Sequence, residues 1–258
     1  MSVKRVRCIL LLLALCTVTN LSFSAPERSA PPRVLYYMIG SNLESKKNAA
    51  SADLLEILRA HPGEGTEIYV LAGGAQAWSL DRNMDRRITL LRPENGEFLA
   101  EPFPPELSMG EGDTLRLFLE QCAPAEGPWH LIFWGHGGGI PPAIGWDENH
   151  DDAWLSVAAI AETLSGMDHP PAVVGMDACG MCTAEVLQAL SDCCSYFVAN
   201  TAEETTEGWP HHMYLAELTG DPLHDAGKIR DAANIGQKRA GEPETTQAVS
   251  MQAYQHGQ

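Results

Sequence analysis

Between Leu117 and Gly227 the sequence contains no lysine and no arginine. Basic residues are scarce throughout: 17 against 34 acidic ones in 258 residues, a net charge of −17. Loss of Lys4, Arg5 and Arg7 with an N-terminal segment would bring it to −20. So acidic a surface repels polyanions. It excludes nucleic acid and anionic membrane as partners and favours basic ligands. Long apolar runs are missing as well. Beyond the first residues, no stretch approaches the roughly 20 apolar residues of a membrane-spanning helix. Internal repeats and long low-complexity segments are also absent, which points to a globular chain. Its 45% hydrophobic content is enough for a substantial core.

The one short apolar run, Ile9 to Leu15, follows the charged start Lys4, Arg5, Arg7. Ser22-Phe23-Ser24 before Ala25 supplies a cleavage site. This is signal-peptide anatomy. The expected organisation is a signal peptide over 1–24, a linker over 25–32 and one domain over 33–258. The mature protein is expected to be secreted or periplasmic and free of the membrane. Seven cysteines are present, and Cys8 and Cys16 leave with the signal. Cys122, Cys179, Cys182, Cys193 and Cys194 remain. An odd number in an exported protein implies at least one free thiol and leaves room for up to two disulfides.

The rest of the chain alternates strand and helix. Val34–Ile39, Ile68–Ala72, Trp129–Trp134, Ala172–Met176 and Tyr196–Ala199 read as buried strands. A sixth is expected within Thr245–Tyr254. Helices are expected over Leu43–Ala60, from Asp113 through Leu119, from Ser156 through Leu164, over His212–Leu218 and over Leu223–Arg239. Arg86–Leu91 and Glu97–Leu99 suggest a hairpin off the main sheet. The stretch from Gly137 to Asp152 reads as irregular. Helical crossovers make the main strands parallel, so the class is α/β, a mostly parallel sheet of about six strands flanked by helices.

Two strand ends carry chemistry. Trp134-Gly135-His136-Gly137 delivers a histidine into a glycine-rich turn. Asp177-Ala178-Cys179 delivers a cysteine to what reads as a helix start, where free N–H groups and the helix dipole would favour a thiolate. If the two strands are adjacent, His136 and Cys179 emerge side by side at the ligand-binding edge of the sheet. A thiol beside an imidazole is the arrangement for nucleophilic attack on a carbonyl, with the imidazole protonating the leaving amine. The N–H groups of Gly137 and Cys179 could then hold the oxyanion. A buried inert cysteine and an ordinary loop histidine is the plainer reading of the same residues.

The combination resembles the clostripain-like cysteine peptidases, a family with the caspase-like three-layer α/β fold. The resemblance runs from about Val34 to about Tyr254. It rests on Trp134-Gly135-His136-Gly137, on Asp177-Ala178-Cys179 with Glu185-Val186, on Tyr36 to Leu43, on Ser108-Met109-Gly110 through Phe118, and on Glu203-Glu204 with Gly208-Trp209. It implies Cys179 as nucleophile with His136 as its partner, and endopeptidase cleavage after Arg, or Lys, of protein or peptide substrates. Preference for a cation is assigned to Asp177, with Glu203 and Glu204 adding acidity. Such relatives often mature by cleavage after a basic residue between histidine and cysteine. This chain has none there, so it is expected to be active uncut or processed elsewhere. Relatives also often extend further at the C-terminus.

The family's Leu-Met-Gly after the cysteine is replaced by Gly180-Met181-Cys182. That creates Cys179-x-x-Cys182, the basis of an alternative: an exported thiol–disulfide oxidoreductase. A catalytically silent peptidase-like binding protein is a third reading. No cofactor is expected. Zinc on Cys179, Cys182, Cys193, Cys194, His211 and His212 is disfavoured in an oxidising compartment. Calcium on the acidic run Asp147 to Asp152 is conceivable, but a solvated surface is the simpler expectation there.

Overall fold

The computed structural model describes residues 30–138 and 140–257. The expected signal peptide and residues 25–29 of the expected linker lie outside the described residues. Five strands run parallel: β1 (Arg33–Ile39), β2 (Glu67–Gly73), β5 (Trp129–Trp134), β9 (Val173–Asp177) and β10 (Tyr196–Asn200). Antiparallel strands extend both flanks. β3 (Thr89–Glu94) and β4 (Glu97–Pro102) follow β2, and β11 (Thr246–Ser250) follows β10. The order is β11-β10-β9-β5-β1-β2-β3-β4. The sheet therefore has eight strands rather than six. The hairpin expected outside it is its edge, because Val70, Leu71 and Ala72 of β2 pair with Leu91, Leu90 and Thr89.

Period-two alternation builds the layers. Leu35, Tyr37 and Ile39 with Leu131 and Phe133 face one core, which is closed by α3 (Gly112–Cys122) and α4 (Val157–Ser165). Tyr36, Met38, Ile132 and Trp134 face the other core. That one is closed by α2 (Ala49–Arg59), α6 (His211–Leu215) and α7 (Pro222–Ala240). Two apolar faces covered by helices explain why the central strands read as unbroken hydrophobic runs. The helix expected over Leu43–Ala60 is split: α1 (Ser41–Ser45) ends early and Asn48, left-handed at φ 59°, starts α2. Thr245–Tyr254 likewise divides into β11 and α8 (Met251–His256), with Ser250 accepting from the Ala253 N–H.

The stretch expected to be irregular forms a second sheet of β6 (Gly137–Gly138), β7 (Ala143–Asp147) and β8 (Ala153–Ser156). β7 carries one extra residue. Ile144 pairs with Leu155, but Trp146 pairs with Trp154, so Gly145 is a bulge. Its φ is +55°, and a Cβ there would lie 2.5 Å from Ile39 Cβ, which leaves room only for glycine. The bulge turns Trp146 away from the core that buries Ile144 and onto the side of Trp154.

The histidine-bearing strand is anchored from below. His130 of β5 is fully buried and bonds Asp225 of α7 at 2.8 Å. Asp225 also accepts from the N–H groups of Thr219 and Gly220. Burial alone would raise its carboxyl, but these donors, His130 first, hold it down at about 2. A depressed folded pKa stabilises the fold above the unfolded value near 3.9 and is lost as pH falls toward 2. The expected contribution is about 2–3 kcal/mol. In urea unfolding, the stability gap between wild type and Asp225→Asn should therefore narrow from pH 5 to pH 3. A gap independent of pH would contradict this origin.

Candidate active site

The carboxyl ends of β5 and β9 are neighbours at the centre of the sheet. Trp134 pairs with Asp177, and one residue on, the Gly135 N–H donates to Asp177 O at 3.2 Å. His136 and Cys179 each lie two residues beyond that last pair, both half-buried. The two turns are in direct contact. A Cβ on Gly137 would lie 2.4 Å from Cys179 O and 3.0 Å from Cys179 N. Only glycine lets the backbones approach so closely.

The imidazole is held on two sides. His136 Nε2 bonds Asn42 Oδ1 at 2.8 Å, and its ring stacks on Trp146 at 4.1 Å and 11°. An Nε2–H given to Asn42 leaves Nδ1 as the nitrogen free to take a proton. Burial, then the nearby Lys47 charge, lowers the His136 pKa, which favours the neutral ring. Cys179 Sγ accepts from the Glu204 N–H at 3.2 Å, a donor suited to a thiolate. The helix expected to supply that stabilisation starts later. α5 (Ala184–Ala189) is capped by Thr183, while Cys182 donates to Asn200, the last residue of β10, and Gly180 to Ala202 just beyond it. Extended pairing with β10 postpones the helix, so the sulfur has a backbone N–H and no helix end.

Two N–H groups on these turns lie outside the ladder and loop hydrogen bonds. Gly145 N–H bonds His136 O at 2.7 Å, the pattern of a widely spaced antiparallel pair. Gly137 opposite Ile144 is then a non-hydrogen-bonded position, and its N–H stays outside the ladder. The Cys179 N–H, against Gly137, has no acceptor among the described residues.

The acidic residues divide. Glu203 is exposed, whereas the Glu204 carboxyl is buried and pushed up to about 7 by that burial. Asp177 is 3% exposed and accepts from the Trp209 N–H at 3.1 Å. Its carboxyl lies 3.4 Å from His211 Nε2, with Asp53 3.8 Å from the same nitrogen. Trp134 Nε1 donates to Asp53 at 2.7 Å. Burial raises the Asp177 and Asp53 carboxyls. Against burial, those two carboxylates raise His211, so the cluster keeps its protons to higher pH than the separate groups would. Asp177 is therefore buried beside His211 and Asp53 rather than open to solvent. Asp53 is also the way out: it lines a hollow of about 350 Å³ with Lys47, Asn48, Glu56, Thr206 and Glu207. An acid on the apolar stripe of Ala50, Leu54 and Ile57 was the sequence signal for Asp53; Glu56 and Lys47 carry no such mark.

Asp53, Asp177 and His211 could together offer three ligand atoms to a metal ion. In the acidic run, Asp147 is not the solvated residue expected. It is 1% exposed and accepts from Met109 N, Asn149 N and His150, because the loop wraps around its carboxylate. Glu148 accepts from Ser45 and Gln76. All five described cysteines are free, so the two conceivable disulfides are not formed. Cys182 packs against the core beneath the opposite sheet face, and burial raises its thiol pKa.

Comparison with known proteins agrees with the fold. The sequence model of the clostripain family, peptidase C11, matches residues 36–254. No curated protein matches the chain. A secreted C11 cysteine protease from Bacteroides thetaiotaomicron, solved with an irreversible peptide inhibitor, aligns at TM-score 0.66 and 18% identity. The alignment covers 86% of this chain and 67% of that one. An inactive zymogen C11 protease from Parabacteroides distasonis aligns at TM-score 0.61 and 16% identity, over 89% and 64%. A further structure of a secreted Bacteroides thetaiotaomicron C11 protease, iotapain, gives TM-score 0.64 at 16% identity, over 88% and 67%. The chain thus spans about two thirds of the length of these structures.

Proposed function

The chain belongs to the clostripain family of cysteine peptidases, and on that premise we propose that it is an exported endopeptidase cutting after arginine or lysine. The observation that carries the reading is the contact of the His136 and Cys179 turns at the ends of two adjacent strands. In the proposed reaction the Cys179 thiol yields its proton to His136 Nδ1 and the sulfur attacks the scissile carbonyl. The oxyanion is held by the N–H groups of Gly137 and Cys179. His136 then protonates the departing amine, and the thioester left on Cys179 is hydrolysed by water. Asn42 keeps the ring turned for both proton transfers. The peptide inhibitor bound by a Bacteroides relative supports a peptide as substrate.

Preference for a cation is supported by the hollow beside Lys47, where Asp53, Glu56 and Glu207 converge. Asp177 and Glu204 are buried, where burial favours their neutral forms, so the negative charge of the hollow is carried chiefly by Glu56 and Glu207, with Glu203 exposed on the same loop. The test is hydrolysis of short substrates ending in Arg, Lys, Asp or Leu. Arg and Lys should be favoured. Glu56→Gln combined with Glu207→Gln should lower kcat/KM on Arg roughly three- to tenfold, as expected for two partly exposed charges, and barely change Leu. Equal rates on Asp- and Arg-ending substrates would refute the cation preference.

A further inference from the structure

A second hollow borders the imidazole from the other side of the α1–α2 connection. Lys47 lines the acidic hollow described above, and Lys46 lines this one. It measures about 330 Å³ and is walled by Asn42, Lys46, Trp146, Glu148, Asp152 and Trp154. Two of these, Asn42 and Trp146, touch the His136 ring. The bulge at Gly145 brings Trp146 beside Trp154, with ring centroids 4.9 Å apart, and Trp154 is 41% exposed. Among the described residues, large exposed aromatics are few. Here one stands within two rings of the proposed proton donor.

We infer that this hollow is a substrate subsite for a cationic side chain, best arginine, on the first or second residue after the cut bond. The inference rests on the peptidase reading. His136 must reach the departing amine, so the chain beyond the cut bond leaves past the imidazole, where the hollow begins. Its aromatic faces attract cations, and the carboxylates of Glu148 and Asp152 outnumber the single ammonium of Lys46. A guanidinium both stacks on an indole and is less strongly hydrated than an ammonium, which favours arginine over lysine. The enzyme would then prefer paired basic sites, with one cation on each side of the cut.

The test uses two substrate series on the full-length protein. The first is an arginine amide of a dye, which has no residue after the cut. The second is peptides identical through that arginine, with Arg, Ala, Phe or Glu at either of the next two positions. The expected kcat/KM for Arg over Ala is about three- to tenfold, the range of an exposed cation–π contact with added charge, and Glu falls below Ala. Each variant is referred to its own rate on the dye amide. On that scale the Arg-to-Ala ratio drops toward one in Trp154→Ala and falls in Asp152→Asn, while Trp154→Phe keeps most of it. A ratio near one in wild type, a preference for Phe over Arg, or a ratio unchanged in Trp154→Ala overturns the inference while leaving the peptidase reading intact. Failure to hydrolyse either series overturns the peptidase reading, and the subsite with it.

Discussion

Cys179→Ala is expected to reduce hydrolysis of an arginine-ending substrate by about 10⁴-fold or more, the scale on which removing a catalytic nucleophile acts. The loss should come without a loss of fold. Cys179 is half-buried, and its sulfur contacts the Glu204 backbone rather than the core. Urea midpoints of the variant and wild type should therefore nearly coincide. Cys182→Ala is the informative partner. It packs toward the opposite core, so peptide hydrolysis should survive its loss. Hydrolysis retained by Cys179→Ala would remove that residue from the chemistry. Disulfide exchange lost in both variants, without any peptide hydrolysis, would instead favour the oxidoreductase.

Gly137→Ala should also be strongly damaging, through geometry alone. The added Cβ would meet Cys179 O at 2.4 Å, Ala178 Cβ at 2.9 Å and Cys179 N at 3.0 Å. Two of these are main-chain atoms, so the clash cannot be relieved by turning a side chain. One turn must move, and with it either the sulfur or an oxyanion donor. Misplacement of reacting groups by about 1 Å costs on the order of 10²-fold, and loss of one oxyanion donor about 10²–10³-fold. The expectation is a fall of about 10²–10³-fold in kcat with a smaller change in KM. An overpacking cost of about 1–3 kcal/mol should appear in urea unfolding. Wild-type kcat in this variant would mean that the two turns do not meet as described.

The site was legible because its chemistry lies on strand ends. The apolar runs ending in Trp134 and Asp177 declared buried parallel strands, and parallel strands joined by a crossover end at one rim. Pairing of Trp134 with Asp177 is what that logic required. The hairpin's place at the edge of the main sheet, the second sheet and the divided helix were hidden. Each depends on partners distant in sequence or on a single left-handed residue such as Asn48 or Gly145. Asp177 was assigned from motif position, but its surroundings come from α2 and α6, which no local pattern links to β9. Asp53 reaches it only because α2 packs on the Trp134 face of the sheet. The helix expected at Cys179 failed for a similar reason: Asn200 and Ala202, distant in sequence, accept from the Cys182 and Gly180 N–H groups, which the first turn of a helix would have left without partners.

β5 and β9 are interior strands, with β10 and β11 on one side and β1 to β4 on the other. Separating them means taking the whole sheet apart, since both lie between two covered faces. Local breathing is left to the margins, where the β3–β4 ribbon can fray while the centre stays shut. His136 and Cys179 thus share the cooperative fate of the entire domain: peptide hydrolysis should vanish in the same transition as tertiary structure, not before it.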